Sequence, residues 1–164
     1  FSALEKILMH RNDDLVFYKR LSLDLENIYR DAYIDKDLKL GMTHGDFHIH
    51  NAFVRSDKDI TIMDFDGCGI DFFAQELMSY KWSIEKNSLS MSLWDNFLIG
   101  YDEVRTISKK ELDYFPVFLI GKELSYLCGF ANAINAIGHV SFHFPGLSWF
   151  AKSLRNHAKI ANLI

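Results

Sequence analysis

Residues 42–53 read MTHGDFHIHNAF, so three histidines, an aspartate and an asparagine fall within twelve positions. A second acidic pair, Asp64 and Asp66, follows in IMDFDG. Several kinds of chemistry compete for such a set. His48 and His50 alternate with Phe47 and Ile49, the spacing of a two-histidine metal site. Asp46, Asn51 and Asp64 offer hard oxygen atoms that suit magnesium, which keeps several waters and takes other ligands from phosphates. The plainest alternative is a polar loop in which Asp and Asn satisfy their own backbone.

The elements that must position these groups can be read around them. NAFVRSDKDITIMDFDG carries two β-prone runs, 51–55 and 60–64, flanking the turn-forming Ser56-Asp57-Lys58-Asp59. That is a hairpin pattern. Antiparallel pairing of the two runs places Asn51 opposite Asp64, so an amide oxygen and a carboxylate share one end of the hairpin. His44-Gly45-Asp46 lies in the loop before the first strand, and Asp46 is near enough in sequence to fold back over the same spot. A carboxylate that does not hold the metal tightly can take a proton from a hydroxyl. Positioned metal and positioned nucleophile are what phosphoryl transfer needs.

Most of the remaining chain has helical periodicity. Residues 1–33 read as helix, with Leu15, Tyr18, Leu21, Leu25, Ile28 and Tyr29 on one face. Further helices are expected near 72–86, 90–104, 109–136 and 146–162. SKKE at 108–111 is a capping box, in which Ser108 caps and Glu111 reaches back. Pro116 falls early in its helix, where it is best tolerated. The expected architecture is α+β and predominantly α-helical, one domain over residues 1–164 with a small β hairpin inserted.

Composition narrows the function classes. The 164 residues are 49% hydrophobic with 14 Phe, 7 Tyr and 3 Trp, enough for a real core and too apolar for a disordered chain. A net charge of −4 without a basic run gives no footing for nucleic acid. No continuous apolar run of spanning length and no signal peptide is visible, so no membrane partner is expected. Cys68 and Cys128 are isolated and read as reduced thiols, which points to a cytoplasmic protein. The chain starts at Phe1 inside a helical pattern, so a fragment or processed product is expected.

HGDFHIHN followed by IMDFD resembles the aminoglycoside phosphotransferase / choline kinase family, relatives of the protein kinases. The family motif H-G-D-x-x-x-x-N is followed, a dozen or so residues later, by a hydrophobic D-F/W-D/E segment. Four fixed residues at fixed spacing arise by chance on the order of once in 10⁵ starts. The resemblance spans roughly residues 35–160. It implies the C-terminal lobe of a protein-kinase-like fold, with ATP as phosphoryl donor and Mg2+ as its metal. By the same resemblance Asp46 is the catalytic base, and Asn51 and Asp64 are the metal ligands. His44 and Gly45 are structural parts of the motif, and Asp66 stands where D-F-G has glycine. Glu76 replaces a family aspartate and is expected to anchor the loop. The C-terminal helices would wall the acceptor pocket, with His50, Trp82, Tyr114 and Asn132 as candidates to line it, and Asn135 close to Asn132 on its helix. The acceptor would be a small-molecule hydroxyl such as that of an aminoglycoside, choline-like or homoserine-like compound.

Residues 1–40 offer no Gly-rich loop and no buried lysine of a V-A-I-K type. The implied N-terminal, ATP-clamping lobe is therefore missing from this chain, and isolated activity is not expected. Competing readings remain open here. The chain could be a non-catalytic fragment or a decayed kinase serving as a binding module. IMDFDG also resembles the start of a haloacid-dehalogenase-type phosphatase, with Asp64 as nucleophile, but that class needs a later acidic pair after another strand. Structural roles compete residue by residue: loop packing for His48, helix starts for Asp71 and Glu76. Trp82, Tyr114, Phe118, Tyr126, Trp149 and Phe150 are read chiefly as core.

Overall fold

The chain alternates long amphipathic helices with one short run of β-prone residues, and its elements follow that pattern. The structure, a computed structural model, describes residues 2–138 and 143–164, with side chains from 146 onward in the second segment. Phe1, assigned to the first helix by sequence, lies outside the described residues. The helices are α1 (Ser2–Ile7), α2 (Asn12–Ile34), α3 (Phe73–Lys86), α4 (Ser92–Val104), α5 (Lys109–Ile137) and α6 (His143–Ile160). The strands are β1 (Leu40–Thr43), β2 (Ala52–Ser56), β3 (Asp59–Ile62) and β4 (Gly69–Phe72). The fold is thus α+β and predominantly helical, as the sequence predicts.

Two compact units divide the chain: residues 1–34 with 120–164, and Asp35–Leu119. In the first, the single helix expected over residues 1–33 is broken between Ile7 and Asn12. Asp13 and Asp14 supply the negative charge favoured at a helix start, so α2 begins anew there. Tyr18, Leu21 and Leu25 of the predicted face are buried, together with Leu124, Leu127, Ile134, Phe150 and Leu154. Gly121 is needed here, because a Cβ would sit 2.3 Å from the Tyr29 hydroxyl. Sequence reading misses a polar set inside this unit. Asp14 is paired with Arg11 at 2.7 Å and Arg155 at 2.6 Å. The fully buried Glu123 meets His157 Nδ1 at 2.7 Å.

Among the described residues one helix, α5, has the length and composition of a membrane span, which corrects the expectation drawn from continuous runs. Glu123 lies within it, and Phe118, Ile120, Leu124, Leu127, Ala131 and Ile134 along it are buried. That is the pattern of a core helix as much as of a span.

The second unit holds both two-stranded pairs, β1–β4 and the β2–β3 hairpin. β1 pairs antiparallel with β4, Leu40 opposite Phe72 through Thr43 opposite Gly69. The strand pair is invisible to a local reading, since its halves lie on either side of the β2–β3 hairpin. α3 packs against β1 and β4, led in by Phe73 N–H donating to the Lys39 carbonyl at 3.1 Å. Phe72, Leu77, Met78, Trp82, Ile84, Trp94 and Phe118 form its core. Phe72 stacks on Phe118 with centroids 5.2 Å apart.

The expected register of β2 and β3 is corrected by one residue. Ser56 does lie opposite Asp59, but a bulge between Val54 and Ser56 shifts the ladder, so Val54 faces Ile60 and Ala52 faces Ile62. Asn51 is consequently opposite Met63, whose N–H donates to the Asn51 carbonyl at 3.0 Å. Asp64 is not the end of a strand. It stands two residues past the end of β3, in left-handed backbone (φ 68°), ahead of a 3-10 turn at Phe65–Gly67 that contains Asp66.

The capping box forms reciprocally: Glu111 N–H donates to Ser108 Oγ at 3.1 Å, and Ser108 N–H to Glu111 Oε2 at 3.0 Å. Arg105 adds an ion pair to the buried Glu111. Ser108→Ala is expected to cost about 1 kcal/mol. For a chain of this size that is a fall in melting temperature of roughly 2–4 °C. An unchanged thermal midpoint would deny the cap any part in stability.

Candidate active site

The loop after β1 cannot make its own backbone bonds, and α3 supplies them. Glu76, in the first turn of α3, accepts Gly45 N–H at Oε2 (2.9 Å) and Phe47 N–H at Oε1 (3.0 Å). This is the anchoring role expected of it. Asp71 closes the other side of the helix start, accepting from Phe72 N–H at 2.8 Å and from the Gln75 amide at 2.7 Å. Burial pushes the Asp71 carboxyl above the ordinary range, partly offset by the Phe72 N–H.

Gly45 is demanded twice. Its φ is 81°, and a Cβ would lie 1.9 Å from the Gly67 carbonyl oxygen. The His44-Gly45-Asp46 loop therefore runs backbone against backbone with the turn that carries Asp66. His44 fastens the two segments. Asp46 N–H donates weakly to His44 Nδ1 at 3.4 Å, which leaves Nε2 as the protonated nitrogen, and it donates to the Met63 carbonyl at 2.8 Å. The His44 ring also lies 4.4 Å from the Phe65 ring. His44 thus sets the backbone on both sides of Asp64.

Asn51 ends a 3-10 turn, Ile49–Asn51, that is capped by His48 Nδ1 accepting from His50 N–H at 3.1 Å. Its side chain is buried, and Nδ2 donates to the Asp46 carbonyl at 3.0 Å. The amide nitrogen is thereby committed, and Oδ1 is the atom available to a cation. Asp46 is half-buried; Asp64 and Asp66 are exposed. His44, Gly45, Asp46 and Asn51 are therefore bonded to one another or to α3, and Asp64 is joined to them through Met63.

The remaining sequence candidates are more scattered. His50 is exposed, and its ring meets that of His48 edge to face at 5.7 Å. Among the described residues no three His, Cys, Asp or Glu side chains converge to hold a metal. Trp82 is buried in the core of its unit, with Lys86 over its ring at 4.8 Å. Tyr114 is half-buried against Phe118. Asn132 is exposed and belongs, with Asn135, to the other unit; Asn135 bonds the Ala3 and Ala131 carbonyls at 3.0 Å.

An aromatic group that sequence reading did not single out backs the loop. Phe47 stacks on Tyr80 (5.6 Å) and Phe97 (5.9 Å), and Phe97 continues to Trp94 and Tyr101. Residues 94, 97 and 101 share a helical face, which was the available signal.

All described elements after β4 are helices. The later strand and acidic pair of a haloacid-dehalogenase-type phosphatase have no counterpart among them. What the geometry defines is a small β hairpin set in a predominantly helical fold. Residues 3–108 match the model of the phosphotransferase enzyme family, APH, and the chain belongs to that family.

The chain resembles homoserine kinases of Allorhizobium ampelinum and Rhizobium meliloti. The first is 28% identical over 120 residues, 71% of this chain and 37% of that protein. The second is 29% identical over 94 residues, 56% of this chain and 29% of that protein. An uncharacterised protein of Deinococcus radiodurans is 32% identical over 94 residues, 55% of this chain and 28% of its own length. The chain thus spans about a third of the curated relatives it matches. In fold it matches amicoumacin kinase, solved with AMP-PNP, Ca2+ and Ami, at a TM-score of 0.71 and 20% identity, covering 88% of this chain and 45% of that one.

Glu76→Ala strips two backbone N–H groups of a charged acceptor and is expected to lower the unfolding free energy by about 3 kcal/mol. Urea titration measures it. A midpoint equal to wild type would show that the loop does not depend on Glu76.

Proposed function

We propose that this chain is the C-terminal lobe of an ATP- and magnesium-dependent kinase that phosphorylates a hydroxyl of a small molecule. The observation that carries the reading is the commitment of Asn51 Nδ2 to the Asp46 carbonyl, which aims the amide oxygen of Asn51 for a cation beside the loop that presents Asp46. The donor set fits the group. Asn51 Oδ1 and the Asp64 carboxylate are hard oxygen ligands, and two protein ligands suffice for a magnesium that completes its shell with water and phosphate.

Bound ATP–magnesium would supply an electrophilic γ-phosphoryl group and neutralise its charge. Asp46 orients the acceptor hydroxyl and receives its proton as the oxygen attacks. Asn51 and Asp64 would hold the nucleotide's magnesium through their side-chain oxygens. His44, Gly45 and Glu76 keep the loop and the Asp64 turn at a set spacing, so little is left to reorganise during transfer.

The AMP-PNP and Ca2+ of amicoumacin kinase support nucleotide and divalent-cation use. The two homoserine kinases favour a homoserine-like acceptor over aminoglycoside or choline-like ones. His50, exposed at the end of the loop, is the pocket candidate best placed to meet it, whereas Trp82 contributes from the core. The nucleotide-covering lobe is supplied from outside these residues, in line with the one third of the relatives' length matched here. Its docking would cover the apolar side chains that the hairpins leave exposed, among them Met42, Phe53, Val54, Ile60 and Ile70. The cytoplasm, which holds the ATP, is the implied compartment.

In the full-length protein, Asp46→Ala and Asp64→Ala are each expected to lower turnover roughly 10²-fold or more, as loss of a general base or a metal ligand does. Coupled ATPase and direct product assays over a panel of hydroxyl acceptors give the readout. Wild-type turnover in either variant would remove that residue from the mechanism. Residues 1–164 alone are expected to bind ATP–magnesium weakly in calorimetric titration, and micromolar affinity would overturn the two-lobe reading.

A further inference from the structure

We propose that His48 is a positioning residue for Asp46, acting as a fixed neutral donor to one oxygen of the base. The inference rests on the kinase reading above. Its geometry begins with a bond that leaves no choice of tautomer. A backbone N–H can only donate, so the bond from His50 N–H to His48 Nδ1 (3.1 Å) makes Nδ1 an acceptor and puts the ring proton on Nε2. Nε2 lies 3.5 Å from Asp46 Oδ2. The His48 side chain is 15% exposed and that of Asp46 39%, so the contact is sheltered on the histidine side and open on the side a substrate would reach.

Three consequences follow from this arrangement. Oδ2 is steered by the imidazole, which limits the rotation of the Asp46 carboxylate. The imidazole does not carry the proton away, because Nδ1 cannot be protonated without losing the cap of the 3-10 turn. The same turn ends in Asn51, so the group that orients the base and the group offered to the metal are set by one short piece of backbone. A distance of 3.5 Å is long for a hydrogen bond; such contacts tighten when substrate closes the site.

Two substitutions separate positioning from capping. Glutamine places an amide N–H near the position of Nε2 but cannot cap, whereas asparagine can cap the turn but does not reach Asp46. In the full-length protein, His48→Ala is expected to lower kcat by about 10-fold or more, as loss of an orienting partner does, with KM for ATP unchanged. His48→Gln is expected to restore most of that kcat. His48→Asn is expected to restore the thermal midpoint without restoring kcat. Long-range imidazole nitrogen–proton correlation should show the proton on Nε2. Wild-type kcat in His48→Ala, full rescue by asparagine rather than glutamine, or a proton on Nδ1 would each overturn the proposal. If the wild-type protein itself transfers phosphate to no hydroxyl, the kinase reading falls and takes this role with it; an active wild type whose variants depart from that order sinks the His48 role alone.

Discussion

Two backbone N–H groups, those of Gly45 and Phe47, converge on the single carboxylate of Glu76, and the geometry of the site descends from that convergence. A loop that enters left-handed backbone at Gly45 has no ladder partner for these donors. Phe47 is half-buried, and its N–H left unsatisfied would cost about 1–3 kcal/mol, whereas Gly45 is exposed. A charged acceptor from the first turn of α3 removes that cost and ties the loop to the most rigid element nearby. Glu76 also lies where the helix dipole favours negative charge. The loop is thus held by a helix that is itself held by the core around Phe72, Leu77 and Trp82.

From that anchor, order passes to the second motif through backbone atoms more than through side chains. Gly45 approaches Gly67 closely enough that a Cβ on Gly45 would meet the Gly67 carbonyl oxygen at 1.9 Å. His44 bonds the Met63 carbonyl, and the Met63 N–H bonds Asn51. Asp64 occupies left-handed backbone at a cost of about 1–2 kcal/mol, and the bonds on its N-terminal side hold it there. On the proposed reading, strain concentrated at the Asp64 carboxylate, with well-bonded neighbours, fixes a group that must not drift.

The aromatic group behind the loop gives the arrangement its depth. Phe47 is one residue from Asp46, and its ring stacks with Tyr80 and Phe97 from two successive helices. The loop is therefore held by Glu76 and Tyr80, one turn apart on α3, together with Phe97 of α4. Such edge-to-face and stacked pairs contribute about 0.5–1.5 kcal/mol each beyond their buried area. On the proposed reading, that rigidity is what allows Asp46 to serve as a base with little reorganisation.

Local sequence determined the helices, the β2–β3 hairpin, the capping box at Ser108 and Glu111, and the identity of the motif residues, because each depends on periodicity or on fixed short spacing. The resemblance to the family, rather than any local pattern, pointed to Glu76 as the anchor of the loop. Tertiary structure alone decided the rest. The bulge beside Arg55 moved Asn51 from Asp64 to Met63, since a one-residue slip in a ladder leaves no trace in composition. The pairing of β1 with β4 joins segments separated by a whole hairpin, and no local pattern encodes a long-range partner. The tautomers of His44 and His48 were fixed by backbone N–H groups whose directions exist only after folding. The opening histidine-rich stretch named the groups; the fold decided which atom of each faces the chemistry.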